Sequence, residues 1–210
     1  MDFNRALAEI NALRGQMARS TEFRGYGPAT IAATGLLGLA AGMGQGWLLP
    51  HPAQDIGDYL LLWIMTAAIA ITAISLETIP RTWRMHPSLG REMILNAAMH
   101  FVPPVAAGIL LTLVLLHSAP QSLWMLPGLW QLMFSLGVFS SCQLLPGAMA
   151  AVGVWYLCCG LLILATGNPS LSLSGPAMGI PFGIGQLLVA AILYRGYLEI
   201  DNDETEQPEA

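Results

Sequence analysis

An all-α membrane bundle is the fold class predicted by three features of this sequence. These are apolar segments of span length, a low content of charge, and cations confined to alternate connections. Of the 210 residues, 55% are hydrophobic and only 10% charged, where soluble domains carry about 25% charged residues. A soluble fold this poor in charge could not cover its surface with polar groups. Helices of about 20 apolar residues suit the hydrocarbon core of a bilayer. The chain has room for six of them and for no sizeable further domain. The expected architecture is an integral membrane bundle of six transmembrane helices over residues 28–198. An amphipathic helix within residues 1–27 precedes it, and a disordered acidic cytoplasmic tail, residues 199–210, follows.

In the N-terminal segment, Phe3, Leu7, Ile10, Leu13 and Met17 recur at helical spacing, with Arg5, Glu9, Arg14 and Arg19 between them. That is the pattern of an amphipathic helix. It predicts a helix lying on the membrane surface, where arginine favours anionic lipid; a short coiled coil with a partner helix is the other reading. A cleavable signal needs an early apolar run, and residues 1–26 are polar with four arginines. Gly25 and Gly27 break the helix, and Pro28 suits the first turn of the next one.

The first span is expected over residues 28–49. It carries Gly35, Gly38, Gly42 and Gly46, the last three at strict four-residue spacing. Small residues so spaced let a second helix approach closely, so these four predict a packing face. A nucleotide loop would need a preceding strand and a following lysine. Trp47 falls at the far end of the span, where an interfacial aromatic belongs. Span two is expected over 59–79, ending at Pro80, and span three over 92–116, interrupted by Pro103 and Pro104. Span four, 127–145, is bracketed by Pro127 and Pro146. Span five follows over 147–166. After the small, polar stretch GNPSLSLSGPAM, span six covers 179–198.

All eight cations are arginines, at 5, 14, 19, 24, 81, 84, 91 and 195. With six spans, each falls in the N-terminal segment, the second connection or the end of span six. The positive-inside rule then places both termini in the cytoplasm, and Arg195 can snorkel to that face. Tyr26, Tyr59, Trp124, Tyr194 and Tyr197 land near expected interfaces. Six of the thirteen acids lie in the last twelve residues, a composition that favours solvation. Nothing forms the basic footprint of a nucleic-acid binder.

One stretch contains polar groups that could carry chemistry. Glu92, Asn96 and His100 stand at i, i+4 and i+8, one face of a helix. His100 lies about 12 Å along the axis from Glu92, inside the apolar core. Glu77, at the cytoplasmic end of span two, is at a similar depth to Glu92, and Gln143 and Gln186 are possible further members. Ionisable groups at such depth are costly and default to functional hypotheses. These four residues, Glu77, Glu92, Asn96 and His100, are the candidate ligand or proton site. The competing reading is structural: Glu92 complements a helix dipole, while Asn96 and His100 bond between helices.

One histidine and two separated carboxylates make a poor metal set, so no metal is expected, and no cofactor either. Cys142, Cys158 and Cys159 lie in apolar segments and read as buried small hydrophobes. His51, His86 and His117 read as solvated loop residues. Trp130-Gln131 and Trp155-Tyr156 read as packing pairs. No HExxH, CxxC or Ser-His-Asp set is visible, so the chain is not expected to be an enzyme. The expected role is a non-catalytic scaffold, sensor or regulatory membrane component. The alternative is a small-solute or proton-coupled transporter or channel subunit, with a polar cavity on span three. Expected partners are the lipid bilayer and either a second copy or a membrane or cytoplasmic protein.

The stretches MARSTEFRGYGP, LPGLWQLMFSLGVF and GIPFGIGQLLVAA resemble a group of uncharacterised bacterial multi-span membrane proteins. The resemblance covers most of the chain. It implies a bacterial inner-membrane setting, implies no activity, and carries over no functional residues.

Overall fold

Hydrocarbon offers the backbone no hydrogen-bond partners, so an apolar chain satisfies its own N–H and C=O groups by forming helices. The computed structural model describes residues 27–85, 90–142 and 147–205, with the side chains of 81–85, 90–98, 197 and 199–205 outside that description. The expected N-terminal amphipathic helix and Gln143 also lie outside it. The helices are α1 (Pro28–Leu48), α2 (Ile56–Met85), α3 (Gly90–Ser118), α4 (Leu126–Ser141), α5 (Met149–Thr166), the short α6 (Pro169–Ser172) and α7 (Gly175–Thr205). A 3-10 turn, Pro120–Met125, leads directly into α4. Among the described residues, six helical segments are long and apolar enough to cross a membrane: Pro28–Leu48, Ile56–Pro80, Met99–Ser118, Pro120–Ser141, Met149–Thr166 and Gly175–Gly196.

The prolines do less than their positions in the sequence suggest. Pro80 does not end α2, which runs on to Met85. Pro103 and Pro104 do not interrupt α3, which is continuous from Gly90 to Ser118. Each proline forfeits one backbone bond, but its φ is helical, and membrane helices tolerate such losses where neighbours compensate. The last helix begins at Gly175 instead of Gly179 and continues past residue 198 to Thr205, so the backbone of 199–205 is helical.

The helices pack in chain order around a ring, α1–α2–α3–α4–α5–α7 and back to α1. Around the ring the most extensive contacts are between α1 and α7 and between α4 and α5, and the least extensive are between α2 and α3. Glycine explains the tightest seam. A Cβ on Gly42 would lie 2.8 Å from the carbonyl oxygen of Gly175 and 2.9 Å from the Cα of Gly179. A Cβ on Gly35 would lie 2.9 Å from the oxygen of Gly183. Gly38 faces Phe182 and Gly183 at ordinary contact distance, whereas Gly46 meets nothing within 4 Å and takes no part. A smaller seam joins α4 to α5, where Gly128 and Gly160 each lie against the other's carbonyl oxygen.

The core divides into two clusters. Near the start of α1, Ile31, Val138, Met149, Val152, Tyr156, Ala190 and Leu193 pack together. At the opposite, far end, Tyr59, Leu60, Trp63, Leu123, Leu126, Leu173 and Met178 do so. Phe182 borders both. Large apolar side chains such as Leu61, Ile69 and Ile71 of α2, and Ile109, Leu110 and Val114 of α3, point outward. This is an inside-out distribution for water and the expected one for lipid.

Candidate functional site

The two members of the expected polar site whose side chains are described point to different neighbours. Glu77 is half-buried on α2, and its carboxylate occupies the space that a Cβ on Gly27 would need. Gly27 caps α1, so the carboxylate sits at the positive end of that helix, where negative charge is stabilised. His100, on α3, is instead paired with α4: its Nδ1 lies 3.0 Å from Ser140 Oγ. Glu92 and Asn96 lie on the helical backbone of α3, in register with His100 at one-turn intervals. Gln186 of α7 packs its Cβ 3.0 Å from where a Cβ on Gly35 would stand, so it belongs to the α1–α7 seam.

His100 and Ser140 could pass a proton between α3 and α4, because imidazole both donates and accepts. Pro103 and Pro104 have no N–H for the carbonyls of Met99 and His100, which places additional acceptors beside the ring. Among the described residues no group of three or more His, Cys, Asp and Glu could hold a metal ion. The three cysteines are thiols, and Cys158 is exposed on the outer face, not buried as its apolar segment suggested.

The interior hydroxyls of Thr34, Ser135 and Ser141 bond back to their own helices, whereas the amides of Gln45 and Gln131 and three indoles serve as clamps between helices. Gln45 of α1 donates from Nε2 to the carbonyl of Leu173 at 2.6 Å, while its Oε1 accepts from Trp63 Nε1 of α2 at 2.9 Å. One amide thus ties α1, α2 and the α6–α7 turn. Trp130 of α4 donates to Thr112 Oγ1 of α3 at 2.9 Å, and Trp155 of α5 donates to the carbonyl of Pro181 at 2.9 Å. Gln131 of α4 donates from Nε2 to the carbonyl of Ala177 at 2.8 Å. This last bond follows from sequence chemistry. Pro181 lies inside α7, and its missing N–H is the one that Ala177 would have received. The Gln131 amide supplies the missing donor from α4, across the ring.

Aromatic rings fill the space between these clamps. Phe134 meets Tyr156 edge-on at a centroid distance of 4.7 Å and Phe182 at 5.4 Å, with Phe101 beyond it at 5.9 Å. Such tilted pairs add about 0.5–1.5 kcal/mol each beyond area burial. Tyr59, expected near the interface, is completely buried in the far cluster. Its place in the first turns of α2 is legible in the sequence, but not the side of the helix it faces.

Sequence reasoning found Trp130, Gln131, Trp155 and Tyr156 as packing residues and missed Gln45. The available signal was an amide among glycines in GMGQGW, an uncharged polar group inside an apolar run that needs partners. It also missed the α7 half of the seam, although Gly175, Gly179 and Gly183 repeat at four-residue spacing.

These features define a class, an all-α multi-pass membrane protein. No family model, curated protein or solved structure matches the chain.

Proposed function

We propose that this chain is a non-catalytic multi-pass membrane component, a scaffold, sensor or regulatory subunit. The bacterial inner membrane, with both termini in the cytoplasm, is the setting that the arginine distribution and the sequence resemblance favour. The observation that carries the reading is the use of interior polarity: Gln45, Trp63, Trp130, Gln131 and Trp155 are each bonded to another helix. Groups spent in this way hold a shape. The arginine-bearing N-terminal segment and second connection would then meet the partner. Crosslinking in cells tests this with the full chain and a chain lacking residues 1–24. A discrete crosslinked species that is lost on deletion supports the reading, and an unchanged set of species sinks that mechanism.

The His100–Ser140 pair favours a second reading, a small-solute or proton pathway between α3 and α4. Under it, proteoliposomes of wild-type protein conduct protons or solute, and His100→Ala reduces the flux at least about 100-fold, the lower end of what a positioned proton-transfer group contributes. Equal flux from wild type and His100→Ala refutes it.

A further inference from the structure

Three side-chain atoms at the far end of the bundle are deeply buried with no hydrogen-bond partner among the described residues: Tyr59 OH, Gln131 Oε1 and Ser172 Oγ. All three residues are 0% exposed. They belong to one neighbourhood. Tyr59 packs in the cluster with Leu173 and Met178, Gln131 Nε2 also reaches Met178 Sδ at 3.9 Å, and Ser172 directly precedes Leu173. The nearby carbonyls are already engaged, Leu173 by Gln45 and Ala177 by Gln131. The orientation of the Gln131 amide is fixed by chemistry, since a carbonyl can only accept and must face Nε2. Its Oε1 therefore requires a donor from elsewhere.

We propose that internal water completes Tyr59, Gln131 and Ser172, making a hydrated site sealed within the far half of the bundle. Each buried orphan otherwise forfeits its hydration without a return, and three in one neighbourhood would be an unusual burden. Buried water typically makes about three hydrogen bonds to such groups. Every group of the site is uncharged, so its occupant is neutral. It must donate to Gln131 Oε1 and can exchange bonds in both senses with the two hydroxyls. Tyr156 provides the contrast. Its hydroxyl is also buried without a partner, but it stands among Phe134, Phe182 and the backbone at Gly185. A lone polar atom in an aromatic setting lacks the two to four partners that hold a water, so it stays dry. This inference is independent of the scaffold and pathway readings.

The test is hydroxyl-radical footprinting by X-ray radiolysis of the full chain in lipid nanodiscs, with 18O-labelled water as the probe. Bound water is split where it sits and oxidises the side chains beside it. Tyr59 and Met178 are expected to take up label several-fold faster than Tyr156 and Met149, which are equally inaccessible to bulk solvent. Isosteric deletions give a second readout. Tyr59→Phe and Ser172→Ala are expected to lower Tm, whereas Tyr156→Phe leaves it unchanged or raises it. Labelling of Tyr59 and Met178 no faster than of Tyr156 and Met149, or a Tm that rises in both Tyr59→Phe and Ser172→Ala, overturns the proposal.

Discussion

Gly42→Ala is expected to destabilise the bundle by about 3 kcal/mol, the upper part of the usual cost of overpacking. The reason is what the added methyl would strike. It would stand 2.8 Å from the carbonyl oxygen of Gly175 and 2.9 Å from the Cα of Gly179. Both are backbone atoms, which cannot rotate aside as the end of a side chain can. Relief requires α1 and α7 to separate, and that would loosen the Gln45–Leu173 bond at the same end of the seam. Without a hydrophobic drive between helices in lipid, close packing is what holds such a pair together. Gly46→Ala, one turn along the same helix, has the opposite sign. Nothing lies within 4 Å of its added methyl, and alanine gains about 0.5–1 kcal/mol over glycine inside a helix. Thermal unfolding of both variants of the full chain in detergent measures the contrast. A Gly42→Ala protein as stable as wild type would show that the seam tolerates separation.

That contrast marks where the sequence was legible and where it was not. Six spans and the glycine face of α1 could be read directly, because hydropathy and small-residue spacing are one-dimensional signals. Azimuth is not. Glycine spacing announces that one face of α1 is smooth, yet Gly46 sits on that stripe and finds no neighbour, since the chain leaves α7 at Gly175 for the α6–α7 turn. Its counterpart on α7 was hidden by composition: GNPSLSLSGPAM reads as a loop through Met178, yet Gly175 already begins the helix. The same blindness separates Tyr59, buried inside, from Trp47, which is exposed.

The polar residues show the limit in another form. Glu92, Asn96 and His100 share a helix face and Glu77 the expected depth of Glu92, and these one-dimensional positions alone suggest one site. Depth groups residues into layers, whereas chemistry requires neighbours within a layer. Ser140, the partner of His100, sits in an unremarkable run of SLGVFSS, forty positions away. Proline was over-read for a related reason. Pro80, Pro103 and Pro104 read as breaks in the sequence because a soluble helix would lose about 3 kcal/mol or more there. Within a packed bundle the cost can be met from another helix, as Gln131 of α4 meets it for Ala177 of α7.

That repair yields the second large effect. Gln131→Leu is expected to cost about 1–3 kcal/mol, the penalty for leaving a buried acceptor unmade, because Ala177 would lose the donor that stands in for the N–H absent at Pro181. Lost packing would add little, since leucine nearly matches the volume of glutamine. If the missing N–H is the cause, supplying it should cure the defect. Pro181→Ala restores a backbone donor one turn from Ala177, so it is expected to rescue much of the Tm lost in Gln131→Leu while changing the wild-type background far less. In a double-mutant cycle the coupling energy is then favourable and comparable to the single-site loss, which is the signature of residues sharing one partner. Additive losses would mean that Gln131 stabilises the bundle by some route other than Ala177. The Trp155–Pro181 bond provides an internal check, because it uses the carbonyl of residue 181 and survives the change to alanine.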